Sequence, residues 1–239
     1  MAIQTTPSLN QLVYSILNTV RARTTSSEII TEEIVKFHIK NVRAQLIKQD
    51  INKGYTPDSY VIQDLGCVEL ELVDSGECCD IIAGCKTLRT VLPIPSVVEL
   101  HHNQLFSRIG PVNKLEIPFD IVSYERIPYL VNKFTNKRIR AFNQNNGGHI
   151  YLTIPESKVS LMKRINIQGV FEDPEEVAKF YTCSEEACYS DDSPFPVKAW
   201  MIPTIVQMVI EVFVGKQAVA LTDLTNNAKT DLNSQQEGN

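Results

Sequence analysis

Two amphipathic helices that follow one another near the start of the chain constrain its fold more than any other feature. They are predicted over residues 9–20 and 31–49. The apolar residues of the second segment recur at intervals of four, three and four, which places them on one face of a helix. They are Val35, Ile39, Val42 and Leu46. A helix with one apolar face has to bury that face, so both segments require a partner element.

The ends of both helices carry recognisable signals. Thr31 is a good N-cap for the second helix, and the two glutamates after it place negative charge at the positive end of the helix dipole. Gly54 is expected to close that helix, and the first helix is expected to begin near Ser8. Its buried face is predicted to comprise Leu9, Leu12, Val13, Ile16, Leu17 and Val20. With a short polar link between them, the two helices are expected to form a hairpin.

Residues 55–170 change to the pattern of β-strands. Short segments rich in β-branched and aromatic residues alternate with glycine, proline and asparagine. The predicted strands are residues 61–73, 87–100, 119–127, 138–144, 149–154 and 162–171. The run Asn-Asn-Gly-Gly at 145–148 predicts a hairpin turn, because Asn and Gly tolerate positive φ. Pro93, Pro95 and Pro118 predict strand edges, bends or starts, because proline has no N–H to donate.

Helical signals return after residue 171. Asp173 is a predicted N-cap, followed by proline at the first helical position and by two acidic residues. A further helix is predicted to start at Ser193 and Pro194 and to kink at Pro203. Its inner face is predicted to consist of Ala199, Ile202, Val206, Val209 and Phe213. The polar residues from 221 onward are expected to be flexible unless a partner orders them.

These segments together predict an α+β fold with four parts. An N-terminal helical hairpin (1–54) precedes a β-rich central body (55–170). A C-terminal helical segment (171–220) is expected to pack back on the hairpin and to complete the helical domain. A flexible polar tail (221–239) follows it.

The charge balance argues against a protein that binds nucleic acid tightly. The 239 residues include 23 Lys and Arg scattered among 28 Asp and Glu, giving a formal net charge of −5. Firm contact with phosphates needs clustered cations. The first residues lack the basic and apolar regions of a secretory signal peptide. The longest apolar stretch, 197–214, contains a lysine, a proline, a glutamine and a glutamate, so a buried or interface helix is favoured over a membrane span.

No arrangement of cysteine, histidine or acidic residues matches a known catalytic motif. The six cysteines are Cys67, Cys78, Cys79, Cys85, Cys183 and Cys188, and their spacing does not form zinc knuckles. Reduced thiols are the default expectation. There is no phosphate loop, nucleophile elbow or HExxH helix, so we expect no enzyme activity and no cofactor. The alternative is a metal- or ligand-binding globular protein that uses the clustered cysteines with His101 and His102.

Cations follow one side of the second helix. Lys36, Lys40, Arg43 and Lys48 lie about one turn apart. A solvated face is one interpretation, a contact with an acidic neighbouring subunit is the next, and direct DNA contact is the third. The single tryptophan, Trp200, is interpreted as a core anchor or, alternatively, as an interface anchor.

The sequence strings resemble those of a known family over nearly the full chain. The segments concerned are KNVRAQLIKQDINKG (40–54), QDLGCVELELVD (63–74), CKTLRTVLPIP (85–95), INIQGVFEDPEEVAKF (165–180), DDSPFPVKAWMIP (191–203) and TNNAKTDLN (225–233). They resemble tail ring proteins of crAss-like bacteriophages. The general layout is also loosely similar to the gatekeeper and adaptor proteins of other short-tailed phages, at the level of fold alone.

The resemblance implies a structural virion protein. It implies a portal-proximal head-to-tail connector, present as a homo-oligomeric ring, expected to be a dodecamer, whose channel passes double-stranded DNA without specific binding. The partners would be the portal protein and the next tail ring protein, with no membrane involved, and assembly would take place in the host bacterial cytoplasm. The candidate residues for contact with a neighbouring subunit or the portal are Lys36, Lys40, Arg43, Lys48, Trp200, Asn226 and Asn227.

Overall fold

The computed structural model describes residues 6–23, 30–74, 86–100, 104–126, 129, 139–143, 148–153, 162–180 and 189–214. Within these residues it confirms the α+β class, with helices at both ends of the chain and one seven-stranded sheet. The helices are α1 (Leu9–Arg23), α2 (Glu32–Asn52), α3 (Pro174–Lys179) and α4 (residues 201–214). A short 3-10 helix covers Tyr124–Arg126.

The N-terminal helices form as their sequence predicts. At the start of α1 the amide of Gln11 donates to the Ser8 hydroxyl (3.2 Å) and the Gln11 side chain accepts from the Ser8 amide (3.0 Å), which is a capping box. All six predicted inner residues of α1 are buried. Thr31 caps α2 by accepting from the Ile34 amide at 3.4 Å. Gly54 follows the end of α2 with a φ of 90°, a conformation that glycine adopts without strain.

The inner face of α2 is wider than the predicted one. The first three predicted residues are buried, whereas Leu46 is only partly buried and Ile47 takes the interior position. Arg43 and Asp50 are also buried on this helix. Two polar residues therefore lie where the apolar periodicity alone gives no reason to expect them.

The seven strands form a single, mostly antiparallel sheet. They are β1 (Gln63–Asp74), β2 (Lys86–Thr90), β3 (Phe106–Pro111), β4 (Asp120–Ile121), β5 (Arg140–Asn143), β6 (Ile150–Thr153) and β7 (Arg164–Gly169). Their order across the sheet is β3-β7-β1-β2-β6-β5-β4, and the pair β4–β5 is parallel. The pairing of β1 with β7 shifts register between Asp64 and Cys67, where Gly66 has a φ of 67°. That irregularity is a bulge, and it orients the polar cluster described below.

Two predicted strands are shorter than expected and one observed strand was not predicted. The predicted strand 87–100 ends at Thr90, because Pro93 and Pro95 cannot continue a ladder, and residues 97 and 99 form only isolated bridges. The predicted strand 119–127 is limited to β4. Strand β3 was missed, since its sequence FSRIGP contains a glycine and a proline and carries no clear alternation. It is an edge strand, where such residues are tolerated.

The last described helix begins later than predicted. Pro194 forms a bridge with Ser8, and the Phe195 amide donates to the Pro7 carbonyl at 3.0 Å, so this segment pairs with the N-terminal segment instead of becoming helical. Helix α4 begins at residue 201, which places Pro203 in its first turn, where a missing N–H breaks no helical hydrogen bond. Pro203 at this position therefore gives no reason for the predicted kink.

The predicted inner face of α4 is out of phase with the observed one. Its buried residues are Met201, Ile205, Val209 and Ile210. Of the five predicted inner residues only Val209 is buried, since Ala199 is exposed and the other three are partly buried.

The buried residues of the helices and of the sheet belong to one hydrophobic cluster. It joins the inner faces of α1 and α2 to residues of β1, β3 and β7 and to the inner face of α4. Core burial of this kind is the main source of stability. The boundaries predicted at residues 54, 170 and 220 stay a prediction. Among the helices of the described ranges, none is both long enough and apolar enough to cross a bilayer.

Candidate assembly surfaces

Two lysines of α2 are engaged by carboxylates of the same chain. Lys36 Nζ lies 2.6 Å from Asp191 Oδ2 and 3.6 Å from Glu175 Oε1. Lys40 Nζ lies 2.6 Å from Asp173 Oδ2 and 3.0 Å from Glu175 Oε2. The hydrogen bond to Asp191 raises the pKa of Lys36. Burial alone would lower the pKa of Lys40, but its hydrogen bonds to Asp173 and Glu175 outweigh burial and raise it.

Local sequence explains why these carboxylates meet the lysines. Asp173 is the N-cap of α3, accepting from the Glu175 amide at 2.8 Å, and Pro174 occupies the first helical position. Acidic residues are favoured at this end of a helix, which accounts for Asp173 and Glu175 but not for Asp191. On α2, Lys36 and Lys40 are four residues apart and share a face. At Lys36 and Lys40, α2 thus contacts other elements of the same chain and is not a freely solvated face.

Arg43 continues the same side of α2 but is fully buried. Its Nε donates to the Pro196 carbonyl and its Nη1 to the Phe171 carbonyl, both at 2.7 Å. The guanidinium lies 5.7 Å from the centroid of the Phe195 ring. Burial lowers the pKa of Arg43 to about 10, which still leaves it charged at neutral pH. Arg43 joins α2 to the segments before α3 and α4, and its assignment to an intersubunit surface is therefore corrected.

The other candidate contact residues differ in position. Lys48 is exposed on α2. Trp200 is 58% exposed, which excludes a role as a core anchor and leaves the interface interpretation as a prediction. It lines a recess of about 420 Å³ together with Thr6, Asp58, Tyr60, Val197, Lys198 and Ala199. Asn226 and Asn227 lie outside the described residues, so their role also stays a prediction.

A surface feature that sequence reasoning missed is the connection between β3 and β4, residues 112–118, here called the 112–118 loop. Its base is closed by the Phe119 amide, which donates to the Ile109 carbonyl at 2.8 Å. The loop packs back on β3 so closely that a Cβ on Gly110 would lie 3.1 Å from the Cα of Pro118. A side chain at position 110 would therefore require Pro118 to move by a few tenths of an ångström.

Hydrogen bonds within the 112–118 loop fix its backbone. Asn113 Oδ1 accepts from the Leu115 amide at 3.2 Å, and the Asn113 carbonyl accepts from the Glu116 amide at 3.1 Å. The Arg108 guanidinium, projecting from β3, donates to the carbonyls of Asn113 (3.4 Å) and Glu116 (3.0 Å). The loop therefore has a defined conformation despite lying at the surface.

Asp64 anchors this loop to the sheet. Its Oδ1 accepts from the Gly66 amide (2.8 Å) and from Asn166 Nδ2 (2.7 Å). Its Oδ2 accepts from Gln168 Nε2 (2.9 Å) and from Lys114 Nζ of the loop (2.5 Å). Burial alone would raise the pKa of Asp64, but these bonds, led by that to Lys114, outweigh burial and lower it.

The 112–118 loop presents aliphatic side chains to solvent. Leu115 is 95% exposed and Ile117 is 87% exposed, and Val112 at the start of the loop is also exposed. Scattered exposed apolar residues are ordinary, but two that lie two residues apart on a loop of defined conformation form a small apolar projection. The sequence signal was the run Lys-Leu-Glu-Ile between two prolines, which alternates charged and apolar residues as a strand would.

The cysteine and histidine residues provide no site within the described part of the chain. There, no group of three or more His, Cys, Asp or Glu side chains is arranged to hold a metal ion. Cys67, on β1, is disulfide-bonded, so the expectation of reduced thiols is wrong at this position. The other five cysteines, together with His101 and His102, lie outside the described residues. The metal- or ligand-binding alternative thus stays a prediction.

The α+β core with ordered, solvent-facing apolar residues is typical of a subunit completed by neighbouring chains. Comparison with known families makes this specific: the family described as phage tail ring protein 2 matches residues 11–232 of the 239. The chain belongs to this family of crAss-like phage tail ring proteins. A search among curated proteins finds no match. The chain is thus a structural phage tail protein, which suggests a non-enzymatic role and a place in the virion.

Proposed function

We propose that this chain forms a homo-oligomeric ring, a dodecamer, that lies next to the portal and connects the phage head to the tail. The observation that carries the proposal is the match of residues 11–232 to a ring-protein family. The exposed apolar side chains of an otherwise well-packed subunit support it, because ring closure would remove them from water.

The helical hairpin is the proposed contact with equivalent hairpins and with the portal. The outer surfaces of α1 and α2 carry Tyr14, Ile34 and Phe37, all of them exposed. Lys48 lies exposed on the same helix as Ile34 and Phe37. Lys36 and Lys40 are only partly exposed and already paired, so a contact through them would have to share their present carboxylate partners. Lys48 is thus the stronger of the proposed lysine contacts.

The remaining segments are assigned to other contacts in the ring. The β-rich body, taken as residues 55–170, is proposed to meet the next tail ring protein. The polar tail, taken as residues 221–239, is proposed to extend along a neighbouring subunit and to place Asn226 and Asn227 against it. The polar composition of this tail supports the assignment, since such segments gain order by binding.

Double-stranded DNA is proposed to cross the ring without being held by it. The net charge of −5 supports this, because a channel for sliding DNA should not offer ordered arrays of free cations. Several described lysines are already neutralised by carboxylates of the chain, including Lys36, Lys40 and Lys114. We further propose that assembly occurs in the host bacterial cytoplasm and that the ring has no catalytic activity.

The test is the native mass of the purified chain, measured alone and in the presence of the portal protein. A dodecamer of 26.9 kDa chains has a mass of about 320 kDa and should appear in one of the two conditions. Electron microscopy of the same sample should then show closed rings with an open centre. A discrete ring of another size would correct the stoichiometry, whereas a monomer in both conditions at every concentration would overturn the proposal.

A further inference from the structure

Among the residues that the structure describes, none covers the apolar projection of the 112–118 loop. Leu115 and Ile117 are almost fully solvated, while the backbone beneath them is held by Asp64, Arg108 and Asn113. We propose that this loop docks on a second copy of the chain, inserting the two aliphatic side chains into the recess beside Trp200. This inference rests on the proposed homo-oligomeric ring and names the contact that closes it.

The fixed conformation of the loop is the first argument. A flexible loop would lose conformational entropy on docking, which weakens binding. Here the loop is already ordered by the Lys114–Asp64 ion pair and by the hydrogen bonds of Arg108 with two loop carbonyls. The cost of ordering has thus been met on folding of the subunit, and the aliphatic side chains are held ready for contact.

The geometry of a ring is the second argument. A closed ring of more than two copies is built from heterologous contacts, in which one surface of a subunit meets a different surface of the next. A projecting element therefore needs a receiving surface elsewhere on the same chain. Because the chain belongs to a family of tail ring proteins, the proposed ring requires such a pair of surfaces.

The recess beside Trp200 has the chemistry to receive the loop. Its volume of about 420 Å³ is sufficient for two aliphatic side chains, and its walls include the exposed rings of Tyr60 and Trp200. Aromatic side chains in a partly enclosed site are the usual anchors of protein interfaces. The surface of the chain thus holds both an aliphatic projection and an aromatic recess.

Charge is the third argument, because the two surfaces are complementary. The loop places Lys114 and Glu116 on either side of Leu115. The recess is lined by one acid, Asp58, and one base, Lys198. Lys114 already contacts Asp64, and Lys198 contacts Asp50 at 3.4 Å, so the pairs Lys114–Asp58 and Glu116–Lys198 would share these cations with their present partners. Both pairs fit one orientation of the loop and not the reverse.

The single tryptophan allows a direct test. Trp200 is the only tryptophan of the chain and is 58% exposed, so its emission reports on its own solvation. The emission maximum and the native mass should be followed together across protein concentration, with portal protein lacking tryptophan added if the ring needs a template. The double variant Leu115→Ser, Ile117→Ser is compared with Leu92→Ser, a matched control whose leucine is also exposed, at 53%, but lies outside the loop.

In the wild type, the emission of Trp200 should shift to shorter wavelength as the ring forms. The loop variant should have an unchanged melting temperature, and its affinity for itself should be reduced about tenfold or more. Its emission shift should be lost at concentrations where the wild type is assembled. The Leu92→Ser control should behave as the wild type. Emission alone could also shift through a neighbouring contact, so the effect of the loop variant on it is the deciding observation.

Three outcomes would overturn the inference. A ring that forms while Trp200 keeps its solvated emission shows that the recess is not occupied, and leaves the proposed function intact. A loop variant that assembles with the affinity of the wild type and shows the same emission shift excludes the loop as the occupant. A chain that stays monomeric under all conditions overturns both the docking contact and the proposed ring.

Discussion

The cations of α2 and the carboxylate of Asp64 each form a polar cluster, and the two clusters have opposite consequences for the surface. On α2, Lys36, Lys40 and Arg43 join secondary-structure elements of one chain and are withdrawn from solvent. At Asp64, the cluster fixes a loop that leaves Leu115 in water. A row of charges on a predicted helix therefore does not by itself mark a contact with another molecule. The surface available for contact with another molecule lies at the 112–118 loop, where Leu115 and Ile117 face solvent.

The largest expected effect is that of removing Arg43. In Arg43→Met the side chain keeps a similar length, but the carbonyls of Phe171 and Pro196 lose their donors in a buried site. Unpaired buried polar groups cost about 1–3 kcal/mol each, partly offset here by relief of a buried charge, so we expect a net loss of about 3 kcal/mol in the free energy of unfolding. Urea unfolding followed by circular dichroism measures it.

The matched control for this variant is Lys48→Met on the same helix. Because Lys48 is exposed, the control should stay within about 0.5 kcal/mol of the wild type. If Arg43→Met were as stable as Lys48→Met, the hydrogen bonds of Arg43 to the two carbonyls would not stabilise the fold. The cations of α2 would then not differ from ordinary surface charges.

The Asp64 cluster is expected to contribute less to stability but more to assembly. In Asp64→Asn the side chain keeps its shape but loses its charge, and one acceptor oxygen becomes an NH2 group that cannot accept. The two hydrogen bonds to that oxygen, either those from Gln168 and Lys114 or those from Gly66 and Asn166, are lost. We expect a loss of about 1–2 kcal/mol in the free energy of unfolding, together with a weaker ring because the loop is less ordered. An Asp64→Asn chain that assembles as the wild type does would show that loop order is irrelevant to the contact.

The same carboxylate predicts acid sensitivity. Because folding lowers the pKa of Asp64, its stabilisation is complete above the unfolded-state value of about 3.9 and is lost as pH falls through the lower folded-state value. The free energy of unfolding, measured from pH 6 downward to about pH 3, should therefore fall more steeply for the wild type than for Asp64→Asn. Parallel curves for the two proteins would contradict the assignment.

The smallest effect is expected at alkaline pH, on the lysine cluster of α2. Folding raises the pKa of Lys36 and of Lys40, so their stabilisation is complete below the unfolded-state value of about 10.4 and is lost as pH rises through the higher folded-state values. Lys40→Met should be destabilised by about 1 kcal/mol at neutral pH and should approach the wild type near pH 11. Thermal unfolding between pH 7 and 11 tests this, and a gap that does not narrow would contradict it.

Much of the fold could be predicted because its signals are local. Ser8 and Thr31 cap their helices through side chains that bond within one turn, and the α1 face repeats without interruption. The phase of α4 could not be predicted in the same way. The pairing of Pro194 with Ser8 is a long-range contact that delays the helix, and periodicity carries no information about it.

The candidate surfaces were harder to predict than the fold. Arg43 reads as a surface residue in the sequence, and only the arrival of two distant carbonyls makes its burial possible. No element was predicted over Leu115 and Ile117, which alternate with charged residues as strand residues would. The structure shows that they face water on a loop whose Pro118 packs against Gly110. The burial of Arg43 depends on carbonyls that are distant in the sequence, and local periodicity carries no information about them.

Whether this chain is a ring-forming tail subunit is tested by its native mass, measured across protein concentration with and without the portal protein. We expect one discrete assembly whose mass is a multiple of 26.9 kDa and that dissociates when Leu115 and Ile117 are both replaced by serine. A species of 26.9 kDa at every concentration, unchanged by the portal protein, would contradict it.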